Sequence, residues 1–166
     1  MKTCEMAIHG LSMDPKNGSP VLLLKEVDNQ RILPIWIGMH EANAIATSLA
    51  EIVPPRPMTH DLLHGTLTSL GYSVERVEIT EIRDATFYAV IVLSSSAGEI
   101  EIDSRPSDAV ALAVRAKSSI FVREEVLEKS AIDISTLEGS GKPADEDELL
   151  ELLRKMDPED YTKYKM

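Results

Sequence analysis

Cysteine and long apolar runs are nearly absent from this sequence of 166 residues. Cys4 is the only cysteine, so no disulfide bond forms within the chain, and we expect a reducing compartment. The N-terminal stretch has one lysine and then meets Glu5, His9 and Asp14 before any apolar run reaches the length of a signal peptide. Since no stretch approaches about 18 consecutive apolar residues, we expect no membrane span. The sequence therefore predicts a soluble, cytoplasmic protein.

Positive charge is also scarce, because the formal net charge is −11. Residues 1–123 carry 11 Lys and Arg against 15 Asp and Glu, a net charge of −4, and residues 124–166 carry 6 against 13, a net charge of −7. An acidic chain repels phosphate backbones at long range. The composition therefore argues against a tight nonspecific nucleic-acid binder, although a local basic groove is compatible with it.

The commonest short functional motifs are missing as well. The sequence has no Walker A loop, no G-x-G-x-x-G, no G-x-S-x-G and no C-x-x-C. His60 and His64 are four residues apart and face one side of a helix, but no third ligand stands at a metal-site spacing. The usual nucleotide-binding, hydrolase and zinc-binding classes therefore have no support in the sequence.

Short β-branched runs and helical periods are present instead. Strands are predicted at 4–10, 21–27, 31–37, 73–82, 86–93 and 99–103, and Pro34 places its strand at an edge or beside a bulge. One helix should begin at Ala42 with a core stripe that includes Leu49 and Ile52, and another should run over 123–130. Thr59 and Ser107 are the predicted N-caps of two further helices. The core stripe of the helix after Thr59 consists of Leu62, Leu63, Thr66, Leu67 and Leu70.

Two similar segments, "EANAIA" at 41–46 and "DAVALA" at 108–113, each follow a predicted strand. Their alternating alanines permit close approach of helix backbones. The order of three strands and two helices, repeated, predicts an α+β fold built from a duplicated β3-α2 unit with pseudo-twofold symmetry, in which helices pack on mixed or antiparallel sheets. Residues 1–130 would form this domain, with halves at about 1–71 and 72–130, and residues 131–166 would form a mobile acidic loop, a short helix and a tail.

Each half also contains an arginine before a proline, close to a predicted helix start. The segments are "RPMTHD" at 56–61 and "RPSD" at 105–108. Proline stiffens the chain there, and free helix N–H groups beside a guanidinium group suit a phosphate. The alternative is that Arg56 and Arg105 simply form ion pairs with the acids that follow, Asp61 and Asp108.

Histidine and carboxylates near these corners are candidates for chemistry. The ordinary pKa of a histidine lies near neutral pH, so His60 suits proton transfer. The alternative is a hydrogen-bonded structural histidine. Carboxylates gathered at one cleft would hold Mg²⁺ or Mn²⁺ and activate water, although helix stabilisation explains two of them without a metal. These carboxylates are Glu41, Asp61, Asp103 and Asp108.

The segments "ILPIWIGMHEANAIA", "PRPMTHDLL", "IDSRPSDAVALAVR" and "DPEDYTKYKM" together resemble the bifunctional nuclease domain family. The resemblance covers nearly the whole chain and implies a duplicated fold, a wedge-like homodimer, a groove proposed as the active site, and DNase and RNase activity reported for some members. By position, the implied groove residues are Glu41, Asn43, Arg56, His60, Asp61, Arg105, Ser107 and Asp108.

Two functions follow as hypotheses. In the first, the protein is a nuclease in which Arg56, Arg105, Asn43 and Ser107 bind substrate, His60 transfers a proton, and Glu41, Asp61 and Asp108 position water or a divalent ion. DNA or RNA would bind weakly to such an acidic chain. In the second, the groove belongs to a noncatalytic module that binds an anionic metabolite or a protein segment. Trp36 and Tyr88 are candidates for the dimer interface if they are exposed.

Overall fold

The computed structural model describes residues 1–28, 30–134 and 151. This part of the chain contains eight strands and four helices. In chain order they are β1 (Thr3–Met13), β2 (Pro20–Glu26), β3 (Arg31–Trp36), α1 (Met39–Leu49), α2 (Thr59–Ser69), β4 (Ser73–Arg83), β5 (Thr86–Ser95), β6 (Gly98–Ser104), α3 (Pro106–Ala116), β7 (Ser119–Arg123), α4 (Glu124–Ser130) and β8 (Ile132–Asp133). All six predicted strands and all four predicted helices of residues 1–130 are confirmed.

The strands form one sheet in the order β6-β5-β4-β7-β1-β2-β3-β8. Neighbouring strands are antiparallel except β4 and β7, which run parallel. The α+β class is therefore confirmed, with one antiparallel meander of three strands on each side of β7. The predicted order of elements is incomplete in the second half, because β7 lies between α3 and α4. Duplication of one unit stays a prediction.

The outer edge of β3 is only partly covered within the described residues. β8 pairs with β3 at Arg31 and Ile32 alone, so Pro34 lies on the stretch beyond that pairing, where its missing N–H leaves no ladder bond unmade. This location confirms the prediction from Pro34. Residues 132–133 were expected in a mobile loop, and that expectation is wrong because their backbone continues the sheet. The predicted helix near 144–156 and the tail lie outside the described residues, apart from Glu151.

Helices α1 and α3 cover the sheet and carry most of the helical core. In α3 the alternating Ala109, Ala111 and Ala113 are all at most 1% exposed, and α3 contacts both α1 and α2, so the prediction of close helix packing is confirmed there. Leu112 is fully buried beside them. No helix in the described residues is long and apolar enough to cross a membrane.

The predicted core stripe of α2 is confirmed only at Leu67, which is half-buried and packs against the main core. The helix has no buried residue, and Leu62 and Leu70 are 60% and 68% exposed. The physical reason is that α2 packs against α3 rather than against the strands, so only a narrow side of it is covered. Leu49 and Ile52 of the predicted α1 stripe are likewise exposed, because α1 ends at Leu49 and the chain then leaves the core.

Three helix starts differ from prediction by one to three residues. α1 begins at Met39 rather than Ala42. The N-cap of α2 is Met58 rather than Thr59, and the N-cap of α3 is Arg105 with Pro106 as the first helical residue, where its missing N–H costs nothing. The preference of Ser and Thr for N-caps misled the prediction, because the extended residue before each helix is set by the preceding chain.

Trp36 is 3% exposed, so it is not an interface residue. Its indole Nε1 donates a hydrogen bond of 2.9 Å to Oδ2 of Asp14, a fully buried carboxylate. Tyr88 is half-buried, and the Arg83 guanidinium lies 4.6 Å from the centre of its ring.

A second polar cluster joins the β2–β3 hairpin to α4. Arg31 donates to both oxygens of Glu26, each at 2.8 Å, and to Oε1 of Glu124 at 2.7 Å. The Cys4 thiol donates to Oε2 of Glu124 at 2.8 Å. Burial first, and then the bond to Glu124, raises the pKa of Cys4 to about 12. Because the thiolate is the reactive form of cysteine, this raised pKa disfavours a reactive role for Cys4.

Candidate functional site

Helices α1, α2 and α3 each carry an acid at the third helical position. These acids are Glu41, Asp61 and Asp108, which follow the N-caps Gly38, Met58 and Arg105. A carboxylate in the first turn is stabilised by the unpaired N–H groups and the helix dipole. The structure shows that each of these acids also has a second partner, and those partners link the three helices.

Arg105 connects α3 to α1. Its Nε and Nη2 atoms donate to the same oxygen of Asp108, Oδ2, at 2.7 and 2.6 Å. The Nη2 atom also donates to Oε1 of Glu41 at 2.7 Å. The Arg105 side chain is still 52% exposed, and its Nη1 atom donates to no described residue. Within the described part of the chain, the Nη1 edge of the guanidinium group therefore remains open to a ligand.

His60 connects α2 to the same carboxylate. Its Nε2 atom lies 2.9 Å from Oδ1 of Asp108, and the His60 side chain is only 12% exposed. The hydrogen bond with His60, followed by those from Arg105, holds the pKa of Asp108 below its usual range, while burial opposes the shift. Asp108 is therefore an anion at neutral pH that orients an imidazole on one side and a guanidinium group on the other.

Asp61 lies in the same region but has different partners. Its Oδ2 accepts the Met58 backbone N–H at 2.9 Å and its Oδ1 accepts Arg115 Nε at 2.6 Å. The bond from Met58 first, and then the bond from Arg115, hold the pKa of Asp61 below its usual range. Arg115 also donates to the carbonyls of Ala44 and Ala111, at 3.2 and 2.9 Å. With 8% of its side chain exposed, Arg115 joins α1, α2 and α3 from the inside.

The space between these helices is a cleft of about 410 Å³, which we call the helix cleft. Five of the eight predicted groove residues line it: Glu41, Asn43, His60, Arg105 and Asp108. Glu41 bends back over the N-cap of its own helix, so that a Cβ atom at Gly38 would overlap its carboxylate. A side chain at position 38 would therefore force the Glu41 carboxylate to shift.

The other predicted groove residues do not line the helix cleft. Asp61 faces Arg115 at its border, and Ser107 is 2% exposed in the first turn of α3. Arg56 is exposed in the segment before α2 and has no salt-bridge partner among the described residues. The ion-pair alternative is therefore correct for Arg105, which pairs with Asp108, and wrong for Arg56, since Asp61 pairs with Arg115 instead.

The carboxylates do not form a metal site in the described part of the chain. No group of three or more His, Cys, Asp or Glu side chains there is close enough to hold an ion. Glu41 and Asp108 are turned to Arg105, Asp61 is turned to Arg115, and Asp103 is exposed on β6. The four acids therefore do not share one ion site in this arrangement.

A second cleft of about 500 Å³ lies on the other side of Arg105 and Asp108, and we call it the edge cleft. It is lined by the ends of β5 and β6, including Tyr88, Asp103 and Ser104. The two clefts share Arg105 and Asp108, so this ion pair stands between two cavities.

Arg115 is the residue that sequence reasoning missed. It lies seven positions after Asp108, two helical turns along α3, so both project from the same side of that helix. This spacing was a signal for a shared face, but nothing in the sequence placed Asp61 against it. His40 and Thr47 also line the helix cleft without having been predicted.

Comparisons with known proteins point to one family. The family model described as "Bifunctional nuclease domain" matches residues 22–135. An uncharacterized protein of Mycobacterium tuberculosis is 40% identical over 128 residues, which cover 77% of this chain and 76% of that protein. Bifunctional nuclease 1 of Oryza sativa subsp. japonica is 26% identical over 117 residues, and Bifunctional nuclease 1 of Arabidopsis thaliana is 28% identical over 109 residues. These matches cover only 35% and 34% of the two plant proteins. The match over most of its length shows that this chain belongs to the bifunctional nuclease domain family.

Proposed function

We propose that the protein hydrolyses phosphodiester bonds of nucleic acid in the helix cleft. The observation that carries the proposal is the contact of His60 with Asp108, 2.9 Å apart, next to the open side of Arg105. A general base held by a carboxylate, and a guanidinium group facing the same cavity, are the parts that hydrolysis of a phosphodiester needs. The names of the plant relatives agree with this activity.

In the proposed reaction, each side chain has a distinct role. When Nε2 of His60 carries the proton and donates a hydrogen bond to Asp108, Nδ1 is free to accept a proton from water. The resulting oxygen nucleophile attacks phosphorus, and the bond from phosphorus to the leaving oxygen breaks. The leaving oxygen then takes a proton from the protonated His60 or from solvent, so the net reaction consumes one water molecule.

Arg105 would bind the phosphate. Asp108 and Glu41 occupy its Nε and Nη2 atoms and fix the plane of the guanidinium group, which leaves Nη1 to donate to a phosphate oxygen. Two carboxylates around one arginine also reduce the local positive charge, so we expect weak, salt-sensitive binding. No step requires a metal, and the assay below tests the dependence on Mg²⁺ or Mn²⁺.

The test is a cleavage assay on highly purified protein with labelled single- and double-stranded DNA and RNA, each with Mg²⁺, Mn²⁺ or EDTA. His60→Ala should lower kcat/KM by about 100-fold, because general base catalysis contributes roughly 10² to 10⁴. Glu41→Ala should lower it by about tenfold. The matched control is His9→Ala, an exposed histidine of β1, which should retain wild-type activity.

Equal activity in all variants would show that cleavage comes from a contaminant or from another site. No cleavage by the wild type, combined with binding of an anion that Arg105→Met abolishes, would favour the alternative of a noncatalytic module. Arg105 is paired with two carboxylates. This pairing supports the alternative, because it also suits a site that binds a ligand without catalysis. A homodimer, an internal duplication and a cytoplasmic location belong to the proposal as further expectations.

A further inference from the structure

The edge cleft has no role in the proposed chemistry, although it shares Arg105 and Asp108 with the helix cleft. Its volume of about 500 Å³ lies within the range that holds a small ligand of nucleotide size, roughly 300 to 1,000 Å³. A ligand whose phosphate lies on Arg105 from the helix cleft would reach directly into the edge cleft on the other side. The position of the ion pair between two cavities therefore fits a polymeric ligand that extends across the ion pair better than a single compact anion.

The carboxylate of Asp103 disfavours a second phosphate at its own end of the edge cleft. Asp103 is exposed there, and its side chain has no hydrogen-bond or salt-bridge partner among the described residues. Glu101 lies two residues earlier on the same side of β6, so the surroundings are acidic. A free carboxylate repels phosphate but accepts hydrogen bonds from the exocyclic amino group of a nucleobase.

An aromatic surface completes the set of groups. Tyr88 lines the edge cleft, and the guanidinium group of Arg83 lies 4.6 Å from the centre of its ring. Tyrosine and arginine planes are the surfaces on which proteins stack unpaired bases. A paired base is unavailable for such stacking, since its faces are covered within the duplex.

We infer that the edge cleft is a base-binding subsite for the nucleotide next to the phosphate on Arg105, in a single-stranded nucleic acid. Tyr88 stacks on the base and Asp103 accepts a hydrogen bond from its amino group. The inference deepens the proposed function and rests on it only for the cleavage of the phosphodiester bond. It names the substrate class as single-stranded and predicts a preference for bases that carry an amino group, such as cytosine and adenine, over thymine.

The experiment separates binding from cleavage. Fluorescence anisotropy with labelled oligo(dC) and oligo(dT) of eight nucleotides is measured on His60→Ala protein, in which the proposed base is absent. We expect oligo(dC) to bind at least about fivefold more tightly than oligo(dT), which is the low end of one good contact to a base edge. Asp103→Ala, added to the same background, should bring the two affinities within about twofold of each other.

Two matched controls accompany this comparison. Glu101→Ala removes the same charge from the same side of β6 and should retain the preference for oligo(dC). Tyr88→Phe keeps the ring and should bind as the parent does, while Tyr88→Ala should weaken binding of both oligonucleotides by at least about fivefold. The thermal unfolding of each variant is recorded, and the phenylalanine variant supplies the answer on stacking if the alanine variant is unfolded.

Cleavage of methyl 4-nitrophenyl phosphate, a phosphodiester without a base, distinguishes this inference from the proposed function. Loss of this cleavage in His60→Ala, together with a preference for oligo(dC) that Asp103→Ala removes, would support both. Base preference without any cleavage would refute the nuclease and keep the subsite. Equal affinity for oligo(dC) and oligo(dT), or equal effects of Asp103→Ala and Glu101→Ala, would overturn the subsite even if the protein is a nuclease.

Discussion

The two arginine–proline corners are similar in sequence and different in every contact. At the second corner, Arg105 is the N-cap of α3 and reaches the acid at the third helical position, Asp108. At the first corner, Met58 lies between Pro57 and the first helical residue, so Arg56 stands two positions before the N-cap and has no salt-bridge partner among the described residues. Its expected partner, Asp61, binds Arg115 from α3. The comparison shows that a local motif supplies an arginine and an acid. Whether these two residues pair depends on their spacing to the helix start and on competing partners from a distant helix.

The largest expected difference between the corners is in activity. Arg105→Met should lower kcat/KM for a phosphodiester substrate by about 100-fold or more, because it removes the group that we propose binds the phosphate. Arg56→Met should lower it by less than about threefold, since Arg56 is exposed and adds at most a weak phosphate contact. Steady-state kinetics at two salt concentrations measures both, and comparable losses at the two positions would remove the functional distinction between the corners.

The next effect concerns stability and the partner of Asp61. Arg115→Met keeps the length of the side chain but leaves Asp61 without its ion pair and removes the bonds to two helix carbonyls. We expect the free energy of unfolding to fall by about 2 kcal/mol, less than for a fully buried pair because Asp61 is 29% exposed. Urea unfolding measures this change. The same substitution at Arg56 should change it by less than about 0.5 kcal/mol.

A smaller effect tests how the second corner is joined to α1. Gly38→Ala places a Cβ atom where the Glu41 carboxylate lies, so Glu41 must move away from Arg105. We expect activity to fall about tenfold, which equals roughly 1.4 kcal/mol of transition-state stabilisation. Gly65→Ala in α2 is the matched control, since its Cβ atom meets nothing within 4 Å. That variant should retain activity and gain about 0.5 to 1 kcal/mol of stability. Equal activity in the two alanine variants would show that Glu41 does not need its present conformation.

The smallest effect is a pH dependence of stability at the first corner. The pKa of Asp61 is lowered in the folded protein, by the Met58 N–H first and then by Arg115, so its contribution to stability is complete above the unfolded pKa of about 3.9. That contribution, on the order of 1 kcal/mol or less, is lost as the pH falls from there through the folded pKa. The free energy of unfolding of Asp61→Asn should therefore depend less steeply on pH than that of the wild type below about pH 5. Parallel curves for the two proteins would contradict the assignment.

Some parts of the fold could be predicted because they depend on neighbours in the chain. Short runs of Val, Ile and Leu between turn residues located the strands, and Ser107 followed by Asp108 located α3, because these signals depend on residues close together in the chain. Most of the apolar stripe of α2 was a false signal for the core, with Leu67 as the exception, because periodicity does not reveal what the helix packs against. The position of β7 between β1 and β4 was beyond prediction, because strand pairing joins residues far apart in sequence.

Sequence by itself determined the candidate groups, namely His60, Arg105 and the acids in the first turns of α1 and α3, together with the family to which they point. Only the tertiary structure decided that Asp108 faces both His60 and Arg105, that Asp61 belongs to Arg115, and that two clefts share one ion pair. The physical reason is range. Helix starts and strand periods arise from contacts within a few residues, whereas hydrogen bonds between α1, α2 and α3 join side chains 48 to 64 positions apart.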